Sequence, residues 1–292
     1  MPYALSNGVR LYYEESGKGT PIVFVHEFAD DLRGWDAQIR YFGRRHRCIA
    51  FNARGYPPSD VPKAVSKYSH VIATDDIANV MRHLKLPKAH IVGSSMGGYA
   101  TVQFGLRYAR MALSLTAVGV GYGADPDKRA QFLADTEVFA RRFEELGTAE
   151  AIKPYQVGPS RVQLLNKDPL GFKHFCAEFA KHSALGSANT QRGVQMKRPS
   201  IYSLERGLAG LKVPMHILTG DEDNNCLEPG IFMKRTCPSA WLTVVPNTGH
   251  AVNVEEPDLF NRLTAEFIAQ VDSGRWRPRD PRYYNKSTML RK

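Results

Sequence analysis

Ala89-His90-Ile91-Val92-Gly93-Ser94-Ser95-Met96-Gly97-Gly98-Tyr99-Ala100-Thr101-Val102 is the stretch whose reading decides the fold. The apolar run Ile91-Val92 predicts a buried strand. Gly93 to Gly97 has the form G-x-S-x-G, and Tyr99 to Tyr108 has helical composition. The pattern is therefore strand, sharp turn, helix, with Ser95 at the apex. A serine in a strained turn brings neighbouring chain close, and glycine two positions to either side leaves the room. A five-residue motif also arises by chance, so its surroundings must carry the case.

Outward from this stretch, strands and helices alternate. Tyr3–Ser6 and Val9–Glu14, joined by Asn7-Gly8, predict a hairpin, because Asn-Gly accepts the positive φ of a two-residue turn. Ile22–Val25 and Cys48–Phe51 are short continuous apolar runs of the central parallel type. They end in His26-Glu27-Phe28-Ala29-Asp30-Asp31 and in the Gly/Pro-rich loop Asn52 to Ser59. Trp35–Phe42 and Ser69–Leu86 are the intervening helices. Leu113–Val118, Met215–Thr219 and Trp241–Val245 supply further strands, and Pro257–Val271 closes with a helix. The expectation is an α/β fold with a mostly parallel central sheet, right-handed crossovers and ligands at the carboxyl ends of the strands.

The alternation fails between Gly121 and Gly210, where helical segments (Lys128–Leu146, Gly171–His182) alternate with Gly/Pro/Ser-rich joins. Residues 1–120 and 211–271 thus predict the core, 121–210 a helical cap inserted after the sixth strand, and 272–292 a basic tail. With 292 residues and 43% hydrophobic content the chain can bury one substantial core. The net charge of +10 suggests nucleic acid, but seven basic and two acidic residues after Val271 supply half of it. No recognised binding module accompanies the charge, so nucleic acid is not an expected partner. The tail predicts a solvated extension or a strap on another subunit of a homo-oligomer. No leader pattern and no membrane-length apolar run is present. Four cysteines (Cys48, Cys176, Cys226, Cys237) lack metal-type spacing, so free thiols, no bound metal and a cytoplasmic location are expected.

Serine at its free pKa is a poor nucleophile; a base must take its proton, and a carboxylate must hold that base in the right tautomer. His250 follows the last strand and precedes a helix, which makes it the base. Gly220-Asp221-Glu222-Asp223 offers the acid: Asp223 best clears the strand end, with Asp221 the alternative. The order Ser…Asp…His over three strand ends is that of the nucleophile-elbow hydrolases.

Over residues 3 to 271 the chain resembles a serine-nucleophile member of the α/β-hydrolase superfamily with a helical lid. His26 with its loop, Gly93–Gly97, the acid loop at Asp223, and Gly249-His250 carry the likeness. The resemblance implies Ser95 as nucleophile, His250 as base, Asp223 as its orienting acid, and no cofactor. It also implies an oxyanion hole from the backbone N–H groups of Met96 and Phe28, each donor worth about 3 kcal/mol. Arg54-Gly55 resembles the family's Arg-Gly loop beside the substrate. Relatives carry His-Gly where this chain has His26-Glu27. Glu27 is expected to point outward and be inert, the alternative being a carboxylate at the site mouth. His26 is expected to hold loop backbone rather than react. The elbow excludes the branches with an aspartate nucleophile but not esterases, lactonases, haloperoxidase-like members or carbon–carbon hydrolases. Between Glu150 and Leu204 eight basic residues face three acids; an inward arginine there would hold a substrate carboxylate, and a solvated face is the expectation. The expected activity is cleavage of a small to medium carboxylic ester or lactone. The alternatives are hydrolysis of vinylogous diketones and a hydrolase-fold ligand receptor without turnover.

Overall fold

In the computed structural model, residues 2–284 are described. The elements in chain order are β1 (Tyr3–Ser6), β2 (Val9–Ser16), β3 (Pro21–Val25), α1 (Asp36–Phe42), β4 (Arg47–Phe51), α2 (His70–His83), β5 (Ala89–Ser94), α3 (Met96–Arg107) and β6 (Ala112–Val118). An all-helical insertion follows: α4 (Arg129–Leu146), α5 (Thr148–Ala151), α6 (Lys153–Gln156), α7 (Val162–Lys167), α8 (Pro169–Phe179), α9 (Ala184–Thr190) and α10 (Glu205–Gly210). The chain then returns through β7 (Met215–Gly220), α11 (Asn224–Thr236), β8 (Ala240–Val245), α12 (Val252–Glu255) and α13 (Pro257–Asp272).

One eight-stranded sheet runs in the order β1-β2-β4-β3-β5-β6-β7-β8. The first two strands are antiparallel to each other, and β2 is antiparallel to β4; the rest are parallel. Asn7 and Gly8 take positive φ at the hairpin, as an Asn-Gly turn requires. The apolar runs read as central strands are buried on both faces, and β5 and β7 are buried at every position. On one side of the sheet Ile77 and Met81 of α2 pack with Val102 and Phe104 of α3. On the other, Trp35 and Phe42 pack with Phe260 and Ile268 of α13. Ser69 caps α2 by accepting from Ile72 N–H, so the helix starts one residue later than the composition indicates.

Two features depart from the sequence expectation. α11 lies where no helix is anticipated, because Pro229 interrupts its pattern. The described part of the tail straps onto its own chain: Trp276 N–H returns to Gln270 O, and Arg279 bonds the carbonyls of Pro238 and Arg235. The remaining tail residues, 285–292, lie outside the described residues. No helix among the described residues is long and apolar enough to cross a membrane.

The insertion lies against the loops at the carboxyl ends of the strands. Phe28, which follows β3, packs its ring within 6.0 Å of Phe139, Phe143 and Phe179 from α4 and α8. Burying aromatics of this size contributes about 2 kcal/mol each, enough to hold the helices on the sheet.

Candidate active site

Ser95 joins β5 to α3 with φ 52 and ψ −111, a left-handed conformation that an L residue adopts only under constraint. The constraint is visible. Ser95 N–H is bonded to Val118 O of β6 at 2.7 Å. A Cβ on Gly93 would stand 2.3 Å from Gly97 O, and one on Gly97 would stand 2.2 Å from Val25 O of β3. Both glycines are therefore needed for the turn to seat against the neighbouring strand. The result is a half-buried serine aimed out of the sheet at the start of a helix.

Three strand ends meet here. Ser95 Oγ donates to His250 Nε2 at 2.8 Å, and His250 Nδ1 donates to Asp223 Oδ2 at 2.7 Å. The ionised carboxylate fixes the tautomer, since it accepts the Nδ1 proton and leaves Nε2 free to accept. Burial works against the charged form of Asp223, but His250 and a hydrogen bond from Cys226 outweigh it, so its pKa lies below the ordinary value. Burial likewise disfavours the imidazolium; Asp223 overrides this and the His250 pKa is raised. The other acids of the loop do different work. Asp221 is exposed and accepts from Thr248 N–H, and Glu222 pairs with Gln163 of α7. Asp223 is the acid that reaches the ring.

The remaining expected residues divide. His26 spends both ring nitrogens on backbone: Nδ1 donates to Glu27 O at 2.6 Å, and Nε2 accepts from Ala53 N–H at 2.9 Å. Burial lowers its pKa and keeps it neutral. Phe28 is anchored through its carbonyl, which accepts from Tyr56 Oη, and through its ring. Met96 is the first residue of α3, where a backbone N–H has no intrahelical acceptor.

Arg54 requires correction as a substrate-proximal residue. It is buried in a bidentate pair with Asp76 at 2.6 and 2.8 Å, and Nη1 bonds Lys67 O. Its donors are spent on the protein. Glu27 does not point outward either: it is 5% exposed and its Oε2 lies 2.6 Å from Arg161 Nη2. A buried carboxylate requires a partner, and the insertion supplies one. Arg161 and Arg198 are likewise not part of a solvated face. Both are buried, Arg198 over the ring of Tyr99 and bonded to Tyr122 O.

Sequence reasoning missed two supports. Glu255 accepts from Gly249 N–H and Ala251 N–H and so shapes the His250 loop. Cys226, one turn into α11, sits 3.9 Å from His250 Nδ1. Its i, i+3 spacing from Asp223 is the available signal, hidden because α11 itself is not legible. Asp223, Cys226 and His250 bring ligand-type atoms within 4.8 Å of one another, a set that could hold a metal by residue type. The hydrogen bonds among them already satisfy each group.

Residues 22–263 match the model of the alpha/beta hydrolase family. "Epoxide hydrolase 1" of Caenorhabditis elegans is 25% identical over 275 residues, which span 89% of this chain and 68% of that protein. The "2-hydroxy-6-oxononadienedioate/2-hydroxy-6-oxononatrienedioate hydrolase" of Comamonas testosteroni is 25% identical over 91% of this chain and 93% of its own. Among solved structures, the enol-lactonase from Burkholderia xenovorans LB400 superposes with a TM-score of 0.80 at 21% identity, covering 92% of this chain and all of that one. The three differ in the reactions their names describe, so likeness fixes the fold and leaves the substrate to the site.

Proposed function

Because the chain belongs to the alpha/beta hydrolase family, we propose that it is a serine hydrolase acting on a small to medium carboxylic ester or lactone through an acyl-enzyme. The observation that carries this reading is the pair of hydrogen bonds running from the strained Ser95 through His250 to Asp223. Ser95 Oγ attacks the carbonyl carbon as its proton passes to His250 Nε2. The N–H groups of Met96 and Phe28 receive the oxyanion, and the His250 imidazolium then protonates the leaving alkoxide. Water repeats the sequence on the acyl-enzyme. Residues 121–210 act as the cap that shapes the acyl pocket. With four unpaired cysteines, the enzyme is read as cytoplasmic.

A carbon–carbon hydrolase is the second reading, left open by the elbow and in keeping with the name of the Comamonas relative. It calls for a cation placed to receive a substrate carboxylate; the charge of Arg161 is already matched by Glu27, and Arg198 is bonded to Tyr122 O and packed over the Tyr99 ring. The ester reading is therefore preferred. The test is a panel of chromogenic esters, lactones and dienoates with wild type and Ser95→Ala. Turnover of esters or lactones, reduced about 10⁴-fold or more in the variant, is expected. Full activity in the variant overturns the mechanism, a strong preference for dienoates favours the second reading, and binding without turnover indicates a receptor.

A further inference from the structure

Arginines cross-brace two segments that lie far apart in the chain: residues 121–124, between β6 and α4, and residues 196–201, between α9 and α10. Arg129 Nη1 donates to Gly123 O at 2.9 Å, and its Nη2 donates to Met196 O and Arg198 O, each at 2.9 Å. In the other direction Arg198 Nη2 donates to Tyr122 O at 2.7 Å, and Ser200 Oγ donates to Ala124 O at 2.6 Å. Between the segments opens a cleft of about 200 Å³, with both arginines, Tyr99, Tyr122, Gly123 and Ser200 in its wall. Ser95, His250 and Asp223 do not line it.

The charge at this cleft is one-sided. Arg54 and Arg161, the other two buried arginines, each carry a carboxylate partner, whereas among the described residues Arg129 and Arg198 have none. Arg198 is 6% exposed, yet of the five N–H donors of a guanidinium only one finds a protein acceptor, with the Tyr99 ring 5.1 Å away beneath the group. A buried cation without a counter-ion is costly. Burial pulls the Arg198 pKa down to about 10, and Arg129 adds to the fall. The acids nearest in the chain are engaged elsewhere: Asp125 accepts from Asp127 N–H and stands 3.7 Å from Lys128 Nζ.

We propose that this cleft binds a small inorganic oxyanion of the phosphate class, held by Arg129 and Arg198, and that the anion locks residues 121–124 to residues 196–201. A guanidinium presents its N–H donors in the plane that oxyanion oxygens accept, and an anion here supplies the counter-charge that the protein leaves out. The size of the cleft excludes an extended organic ligand, since pockets for those run to about 300–1,000 Å³. Both walls adjoin the catalytic residues without sharing them. Tyr99, under Arg198, donates its N–H to Ser95 O at 2.8 Å, and a Cβ on Gly119, three residues before Tyr122, would stand 3.2 Å from His250 Nδ1. Binding of the anion does not depend on what Ser95 does.

Inorganic phosphate titrated calorimetrically into the full chain, at an ionic strength held constant with sodium chloride, should show saturable binding at one site. Phosphate at ten times its Kd should raise the melting temperature by about 3 °C. Arg198→Gln and Arg129→Gln should each weaken binding about tenfold or more, and Arg198→Lys less, because an ammonium keeps the charge and loses the fork. Ser95→Ala should bind phosphate as the wild type does. Hydrogen exchange should slow in residues 121–124 and 196–201 when phosphate is added. Without saturable binding the arginines are a clamp on backbone carbonyls and nothing more, which overturns the proposal. Wild-type affinity in both folded glutamine variants overturns it as well, as does exchange that slows elsewhere but not in these two segments. Weakened binding in Ser95→Ala places the anion at the catalytic mouth and has the same consequence. Should Arg198→Gln not fold, wild-type affinity in folded Arg129→Gln, whose side chain is only half-buried, is sufficient.

Discussion

Asp223 is the N-cap of α11 and Cys226 lies in its first turn; the thiol sits 3.9 Å from His250 Nδ1 and within 4.8 Å of the carboxylate that orients that ring, which it helps hold ionised. Asp223 is thus held from two directions, by the ring it serves and by a fully buried group one turn along its own helix. Burial raises the Cys226 pKa well above its ordinary value, so the sulfur keeps its proton and remains a donor. Cys226→Ala should lower kcat about fivefold, the equivalent of about 1 kcal/mol for a weak thiol donor beside a carboxylate, with KM unchanged. Cys226→Ser should recover most of the loss. Steady-state kinetics on the two variants check this, and equal impairment of both would assign Cys226 to packing alone.

The raised pKa of His250 sets the sign of two pH dependences. Activity needs the neutral ring, so kcat/KM should rise through a midpoint above the ordinary 6.5 of imidazole. Stability runs the other way. A group whose folded pKa is raised stabilises the fold fully below its unfolded value, and that contribution is lost as the pH rises through the folded one. Asp223, with its depressed pKa, contributes above its ordinary 3.8 and loses that contribution as the pH falls through its folded value. Asp223→Asn should move the activity midpoint downward and lower kcat by up to about 10⁴-fold. Melting temperature against pH, recorded for wild type and variant, should show the variant losing the pH-dependent increment on both limbs.

Gly97 is where the elbow meets β3, and a methyl group there would overlap Val25 O and His26 O. Both obstacles are backbone, so no rotamer change relieves them. Gly97→Ala should cost about 3 kcal/mol or more and displace Ser95 from His250. Chemical denaturation alongside kcat measures the two losses. Gly210→Ala, at a position with open space around the would-be Cβ, is the matched control and should change neither.

What was legible in the chain follows from how local each determinant is. Ile22–Val25, Ile91–Val92 and Met215–Thr219 announce buried strands because a strand covered on both faces has no polar positions to alternate with. Ser95 and Asp223 were readable because each stands just past such a strand, and His250 because it lies in the loop between the last strand and a helix. The inward turn of Glu27 was not, since its cause, Arg161, is 134 residues away and belongs to the insertion. Pro229 hid α11 and with it Cys226, because a proline inside a helix imitates a helix end. The short helices α5 to α7 have too few turns for a period to emerge; what fixes them is their contact with the loops below.

Arg54 gives the sharpest test of the corrected site. Its guanidinium faces Asp76 of α2, which also accepts from Ser6 Oγ at 2.5 Å, so the pair joins the Arg-Gly loop, the hairpin and a core helix in one buried network. Removing one partner strands the other charge in a low dielectric, and Arg54→Met should cost about 3 to 5 kcal/mol. Removing both in Arg54→Met/Asp76→Leu should recover much of that loss, because the desolvation penalty disappears together with the attraction. If Arg54 has no part in holding substrate, KM should be the same in wild type and both variants wherever the protein remains folded. A substrate-binding arginine behaves in the opposite way, raising KM on removal and gaining nothing from the second substitution. Denaturant titrations paired with KM values at a low, common temperature separate the two, and an elevated KM in the double variant would return Arg54 to the substrate.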